Sequence, residues 1–159
     1  MPQLHGLIFD LEGTLIGDAG QGFAKELCPG AAELLDYFRA RHVLLGLCTN
    51  RPQQSTLKIT AELGIRDSFD FIAGGDLLGV RKPDPRHVTG VIENLGLTAE
   101  HCAMIGDSTN DVWAARGASI PCIVIRAEAR DMSLGETAAI SSLSEAPSML
   151  RRLGFDFID

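Results

Sequence analysis

Leu4-His5-Gly6-Leu7-Ile8-Phe9-Asp10-Leu11-Glu12-Gly13-Thr14-Leu15 is the stretch on which the reading of this chain turns. Its first half, Leu4 to Phe9, is too short for a helix and mostly apolar on both faces, as a buried strand of a parallel sheet is. Its second half leaves that strand through a turn that carries two carboxylates, Asp10 and Glu12. The end of a buried strand is a costly place for unpaired negative charge, so these groups call for a counter-charge.

Outward from this stretch the same unit recurs. Val43 to Cys48, Phe69 to Ala73, Cys102 to Ile105 and Cys122 to Ile125 are further short apolar runs. Helical spacing fills about 30 to 41, 52 to 63, 85 to 95, 109 to 116 and 145 to 153 between them. Pro52 and Pro85 suit first helical turns, Gly64, Gly96, Gly117 and Gly154 follow last turns, and Asp84 and Ser144 are candidate N-caps. Strands alternating with helices predict an α/β fold: a doubly wound, mostly parallel Rossmann-like sheet with helices on both faces. Ligands of such sheets bind at the carboxyl ends of the strands, near a topological switch point. The most loop-like stretch is GDAGQG, residues 17–22.

The 159 residues suit one domain, 1–159, able to bury roughly 70% of its unfolded surface. With 45% hydrophobic and 22% charged residues the chain reads as globular rather than disordered or membrane-embedded. A formal charge of -7 opposes nucleic-acid backbones and anionic membranes as partners. Cys28, Cys48, Cys102 and Cys122 form no close pair, which fits a reducing compartment and free thiols. Neither a leader sequence nor a spanning apolar run is read, so a cytoplasmic location is expected.

Hard divalent cations such as Mg²⁺ prefer carboxylate and carbonyl oxygens, and a site at Asp10 and Glu12 would draw further carboxylates from another strand end. The run Cys102 to Ile105 supplies them, continuing into Gly106-Asp107-Ser108-Thr109-Asn110-Asp111. A phosphate at such a metal also needs hydroxyl or amide donors and a cation. Thr49 and Asn50 at the second strand end, and Lys82 before a helix, are the candidates.

DLEGTL at 10–15, LCTN at 47–50, KPDP at 82–85 and GDSTND at 106–111 together resemble the haloacid dehalogenase-like hydrolase superfamily, and within it the core of phosphoglycolate-phosphatase-like members. The likeness runs from Leu4 to about Ile125. It implies a Mg²⁺-dependent phosphomonoester hydrolase in which Asp10 becomes an aspartyl-phosphate and Glu12 serves as acid and base. Asp10, the Glu12 backbone carbonyl and Asp107 would ligate Mg²⁺. Thr49, Asn50 and Lys82 would hold the phosphate, with Lys82 also bridging to the nucleophile. Asp111 and Ser108 would support the site from behind, Asp111 orienting water at the metal; the pair also matches the S-x-x-D form of a capping box.

Most phosphatases of the family have aspartate where this chain has Glu12, although an enolase-phosphatase group is similar in carrying glutamate. Glutamate keeps the acid/base function and reaches one methylene further. The likeness also lacks a cap: Ile16 to Cys28 is enough for a short flap but not for a folded cap domain. An open site favours a bulky phosphorylated substrate or a neighbouring subunit acting as lid; a small phosphorylated molecule would be turned over inefficiently there. Two other readings stand beside phosphatase: a weakly active regulatory or scaffold domain, and a metal-independent dehalogenase.

Phe155-Asp156-Phe157-Ile158-Asp159 places apolar residues on a tail expected to dock on a second copy of the chain. His5, His42, His87 and His101 match no metal-ligand spacing and are expected to have ordinary surface or strand-edge roles. Trp113, Phe38 and Tyr37 are expected to pack against the sheet.

Overall fold

The computed structural model describes residues 2–20, 24–126 and 134–159. After β1 (Gly6–Phe9) come β2 (Ile16–Asp18), β3 (Lys25–Leu27), α1 (Ala31–Arg39) and β4 (Leu44–Cys48). The chain continues through α2 (Gln53–Glu62), β5 (Phe71–Ala73), α3 (Pro85–Asn94), β6 (Cys102–Gly106), α4 (Thr109–Gly117), β7 (Cys122–Ile125), β8 (Ala138–Ile140) and α5 (Ala146–Arg152). All five expected strands and all five expected helices are present, within about three residues at each end.

Six strands pair in the order β5-β4-β1-β6-β7-β8, every pairing parallel. From the central β1 the chain moves out to β4 and β5, then returns to β6 on the other side of β1. This reversal is the switch point, and it opens a crevice at the carboxyl ends of β1, β4 and β6. Side chains alternate across the sheet, because successive residues of a strand point to opposite faces. Leu7, Phe9, Leu45, Leu47, Ala103 and Ile105 pack on one face with Leu34, Leu35 and Phe38 of α1 and Leu150 of α5. Ile8, Cys48, Met104 and Val124 pack on the other with Val88, Val91 and Ile92 of α3 and Val112, Ala114 and Ala115 of α4. Gly46 lets α3 close on the sheet, since a Cβ there would stand 2.6 Å from Val91 Cγ1.

Asp84 caps α3, accepting from the Arg86 amide at 2.9 Å, and Pro85 occupies its first turn. Other expected caps shift. Pro52 is itself the N-cap of α2. Ser144 lies inside a short 3₁₀ turn capped by Ser142, and Glu145 precedes α5. Gly117 is the last residue of α4 rather than its successor. Gly64, Gly96 and Gly154 do follow their helices, each with positive φ.

Two elements were not read from the sequence. The GDAGQG stretch begins as strand, not loop: β2 and β3 form an antiparallel hairpin closed by an Asp18–Lys25 ion pair at 2.7 Å. Gln21 and Gly22 of that stretch lie outside the described residues. β8 adds an edge strand beside β7.

The tail does not point away from the molecule. Phe155 and Phe157 are buried in the chain's own core, with the Phe157 ring edge-on to Phe38 and Tyr37 and the Arg151 guanidinium 4.0 Å above it. Asp156 exchanges backbone hydrogen bonds with Pro2 and Leu4. These phenylalanines are therefore not free to dock on a second copy. Trp113 reverses its expectation too: 63% exposed, it faces outward from α4, while Phe38 is fully buried and Tyr37 half-buried. Cys48, Cys102 and Cys122 are buried free thiols, and burial pushes them up, Cys48 and Cys122 to about 12. No helix among the described residues is long and apolar enough to cross a membrane.

Candidate active site

Three parallel strands end side by side, and each delivers a polar residue immediately beyond its last apolar one. Asp10 follows β1, and its amide donates to Ile105 O at 3.0 Å, which ties the end of β1 to β6. Thr49 follows β4, and its amide donates to Ala73 O at 3.1 Å. Asp107 follows β6. Together with Glu12, Asn50, Arg51, Lys82, Ser108 and Asn110 they line one cleft of about 190 Å³. Every expected catalytic, phosphate and metal residue thus borders a single cavity, and Asp111 lies directly beneath it.

Lys82 forms the floor. Only 5% exposed, its ammonium donates to Asp10 Oδ1 at 2.9 Å and to Asp111 Oδ1 at 2.6 Å. Burial alone would push this ammonium down, but the Asp10 and Asp111 carboxylates outweigh it and hold it above the ordinary lysine range. The backbone around Lys82 is clamped from two sides. Asn50 Nδ2 donates to Lys82 O at 2.8 Å while Asn50 Oδ1 accepts from Lys82 N at 3.0 Å. The buried His87 accepts from the same amide through Nδ1 at 3.2 Å, and its Nε2 faces Ala73 O at 3.2 Å. Burial pushes His87 down, so the neutral ring with its proton on Nε2 satisfies both neighbours. The Asn50 side chain is thus engaged in holding Lys82, and the donor expected at the phosphate from this position is its backbone amide. His87, expected at the surface or a strand edge, is fully buried behind the site.

Asp111 has both oxygens engaged. Oδ1 takes Lys82, and Oδ2 accepts from the amides of Asp107 and Ser108 at 3.0 and 3.2 Å and from Ser108 Oγ at 3.1 Å. The expected capping box of α4 is present, so Asp111 is at once helix cap and partner of the buried lysine.

Asp10, Asp107 and Asp111 each offer a carboxylate oxygen within 4.8 Å of one another. One lysine cannot balance three carboxylates at that separation, and the excess falls on Asp10 and Asp107. Burial, then a hydrogen bond to Asp10, pushes Asp107 up to about 8. Asp10 is likewise raised, chiefly by burial and against the pull of Lys82. A divalent cation at these oxygens would offset the same charge. With Asp111 saturated, Asp10 and Asp107 are the hard oxygen donors that fit such an ion. Gly13 gives Asp107 its room: with φ +81° it carries no Cβ, and one placed there would lie 1.9 Å from Asp107 Oδ2.

Glu12 borders the cleft with a partner that sequence reasoning missed. Arg51 directs both Nη2 and Nε to Glu12 Oε1, at 2.5 and 3.1 Å. The only sequence signal for Arg51 is its position directly after Thr49-Asn50.

A parallel sheet that gathers a buried carboxylate–lysine centre at the switch point defines a Rossmann-like α/β domain with its site at the strand ends. Comparison with known proteins carries this further: a family model described as haloacid dehalogenase-like hydrolase matches residues 20–119, and the chain belongs to that family. Among curated relatives it is 34% identical over 127 residues to phosphoglycolate phosphatase of Rhodospirillum rubrum, covering 80% of this chain and 53% of that protein. It is 39% identical over 95 residues to phosphoglycolate phosphatase of Agrobacterium fabrum, covering 60% and 41%. The chain thus spans about half the length of the curated relatives it matches. Among solved structures, an HAD phosphatase from Thermococcus onnurineus superposes with a TM-score of 0.80 at 18% identity, over 99% of this chain and all of that one.

Proposed function

We propose that this chain, as one core domain over 1–159, is a Mg²⁺-dependent phosphomonoester hydrolase that passes a phosphoryl group to Asp10 and then to water. The observation that carries the reading is the Lys82 ammonium held between Asp10 and Asp111 on the floor of a cleft otherwise rich in acidic groups. In the first step an Asp10 oxygen attacks phosphorus as the bond to the substrate oxygen breaks. Glu12, in its acid form, gives its proton to that leaving oxygen. Lys82 offsets charge gathering on the phosphoryl group and on Asp10. Thr49 Oγ accepts from the Arg51 amide at 3.2 Å, which leaves its hydroxyl proton to point to a phosphoryl oxygen. In the second step Glu12, now a carboxylate, takes a proton from the water that attacks the aspartyl-phosphate, and Asp10 and phosphate are released. Mg²⁺, held by Asp10, Asp107 and the Glu12 backbone carbonyl, would supply further neutralisation of phosphoryl charge.

The relatives named phosphoglycolate phosphatase support a small phosphorylated hydroxy acid as substrate. The charge of -7 weighs against nucleic-acid backbones and anionic membrane surfaces as partners, and a cytoplasmic location is part of the proposal. Release of p-nitrophenol from p-nitrophenyl phosphate should require Mg²⁺ and vanish in Asp10→Asn. Release that persists in Asp10→Asn, or that ignores a chelator, would overturn the mechanism.

A further inference from the structure

Two cations line the cleft, and they are not equivalent. Lys82 is committed to two buried carboxylates on the floor. Arg51 stands nearer solvent, and its guanidinium is engaged by the half-exposed Glu12 side chain. Its backbone is anchored on every side. The amide donates to Thr49 Oγ, and the carbonyl accepts from the Gly75 amide at 2.8 Å and from Thr56 Oγ at 3.2 Å. A guanidinium on so fixed a base is a fork held ready for a planar anion.

We propose that Arg51 is the residue that selects substrates carrying a carboxylate next to the phosphate, and that Glu12 occupies the substrate carboxylate's place until it arrives. This rests on the phosphatase reading of the cleft. The Glu12 carboxylate on Arg51 is the same chemical species as the carboxylate of a phosphorylated hydroxy acid. A substrate of that class exchanges one carboxylate for another on the guanidinium at little net electrostatic cost. The exchange frees Glu12 from the guanidinium at the moment the substrate is seated, so its carboxyl group reaches the reacting oxygens only when a substrate of this class is bound. A phosphomonoester without the carboxylate has nothing to give Arg51, so Glu12 stays paired. Selection and the release of Glu12 are thereby coupled through one side chain that this chain carries directly after Thr49-Asn50.

The probes are phosphoglycolate and glycolamide phosphate, which differ by one charge at nearly equal size. Calorimetry on the unreactive Asp10→Asn protein with Mg²⁺ should show phosphoglycolate bound about 10- to 100-fold more tightly. The preference should fall to near one in Asp10→Asn/Arg51→Met and return in part with Arg51→Lys. In the otherwise intact enzyme, Arg51→Met should collapse the ratio of kcat/KM for the two esters to a similar degree. An equal preference with arginine and methionine at position 51 would overturn the proposal. An enzyme that hydrolyses neither ester would defeat the phosphatase reading instead, and the affinity comparison would still decide the role of Arg51.

Discussion

Lys82 is the residue on which most of the site depends, because its ammonium is the positive charge set against two carboxylates that burial has stripped of water. Lys82→Met keeps most of the apolar stem of the side chain and removes the charge. The variant should lose about two to three orders of magnitude in kcat, the cost of deleting one preorganised charge at a developing oxyanion. It should also lose about 3 kcal/mol of stability at neutral pH, as buried pairs do when one partner is removed and the other is left charged. Acidification should restore part of that loss, since protonating Asp10, whose carboxyl burial already raises, removes uncompensated charge, and urea titrations at two pH values read it directly. An equal deficit at both values would show that packing, not charge, is what Lys82 contributes. His87 and Asn50 act on the same residue from behind. Neither role was legible in the sequence, because both come from tertiary approaches across 5 and 32 residues of chain that no motif encodes.

At the scale of elements, what was legible followed from length and pattern. Runs such as Val43 to Cys48 and Cys102 to Ile105 are continuous and apolar, and each is followed by a helix with a punctuated start or end. Placing Asp10, Thr49 and Asp107 at one edge then needed only the rule that ligands sit at strand ends. The hairpin β2–β3 and strand β8 escaped because each strand is three residues long, and Lys25-Glu26-Leu27 and Ala138-Ala139-Ile140 lack the β-branched density that marks a strand. Trp113 was misplaced because helical spacing alone does not say which stripe of α4 meets the sheet; Val112, Ala114 and Ala115 take that face. Between β1 and the hairpin lies the turn at Gly13, whose φ of +81° and missing Cβ both matter. Gly13→Ala should cost about 1 kcal/mol from the left-handed backbone alone. It should also push Asp107 aside, weakening Mg²⁺ about 10-fold or more in a calorimetric titration. Unaltered affinity would remove Asp107 from the metal site.

For the whole molecule, the acidic cluster turns stability into a function of pH and of bound cation. Burial, then the hydrogen bond to Asp10, pushes Asp107 from the ordinary carboxylate range up to about 8. The folded chain therefore keeps a proton that the unfolded chain gives up, and the sign follows: this group lowers stability progressively as pH rises from about 4 to about 8. Asp10, raised in the same direction, adds to the trend. Other acidic groups of a chain with charge -7 also respond to pH, so the informative quantity is a difference between proteins. In the presence of a chelator, wild type should lose more of its Tm between about pH 5 and about pH 8 than Asp107→Asn does, because the amide has no proton to lose. Mg²⁺ competes with that proton for the same oxygens. Its stabilisation of wild type should therefore be small near pH 5, grow towards pH 8, and be largely absent at both in Asp107→Asn. Identical pH slopes for the two proteins would mean that Asp107 keeps its charge without help. In that case the excess of carboxylates at the strand ends would be held by the fold itself, and the case for a cation there would rest on donor chemistry alone.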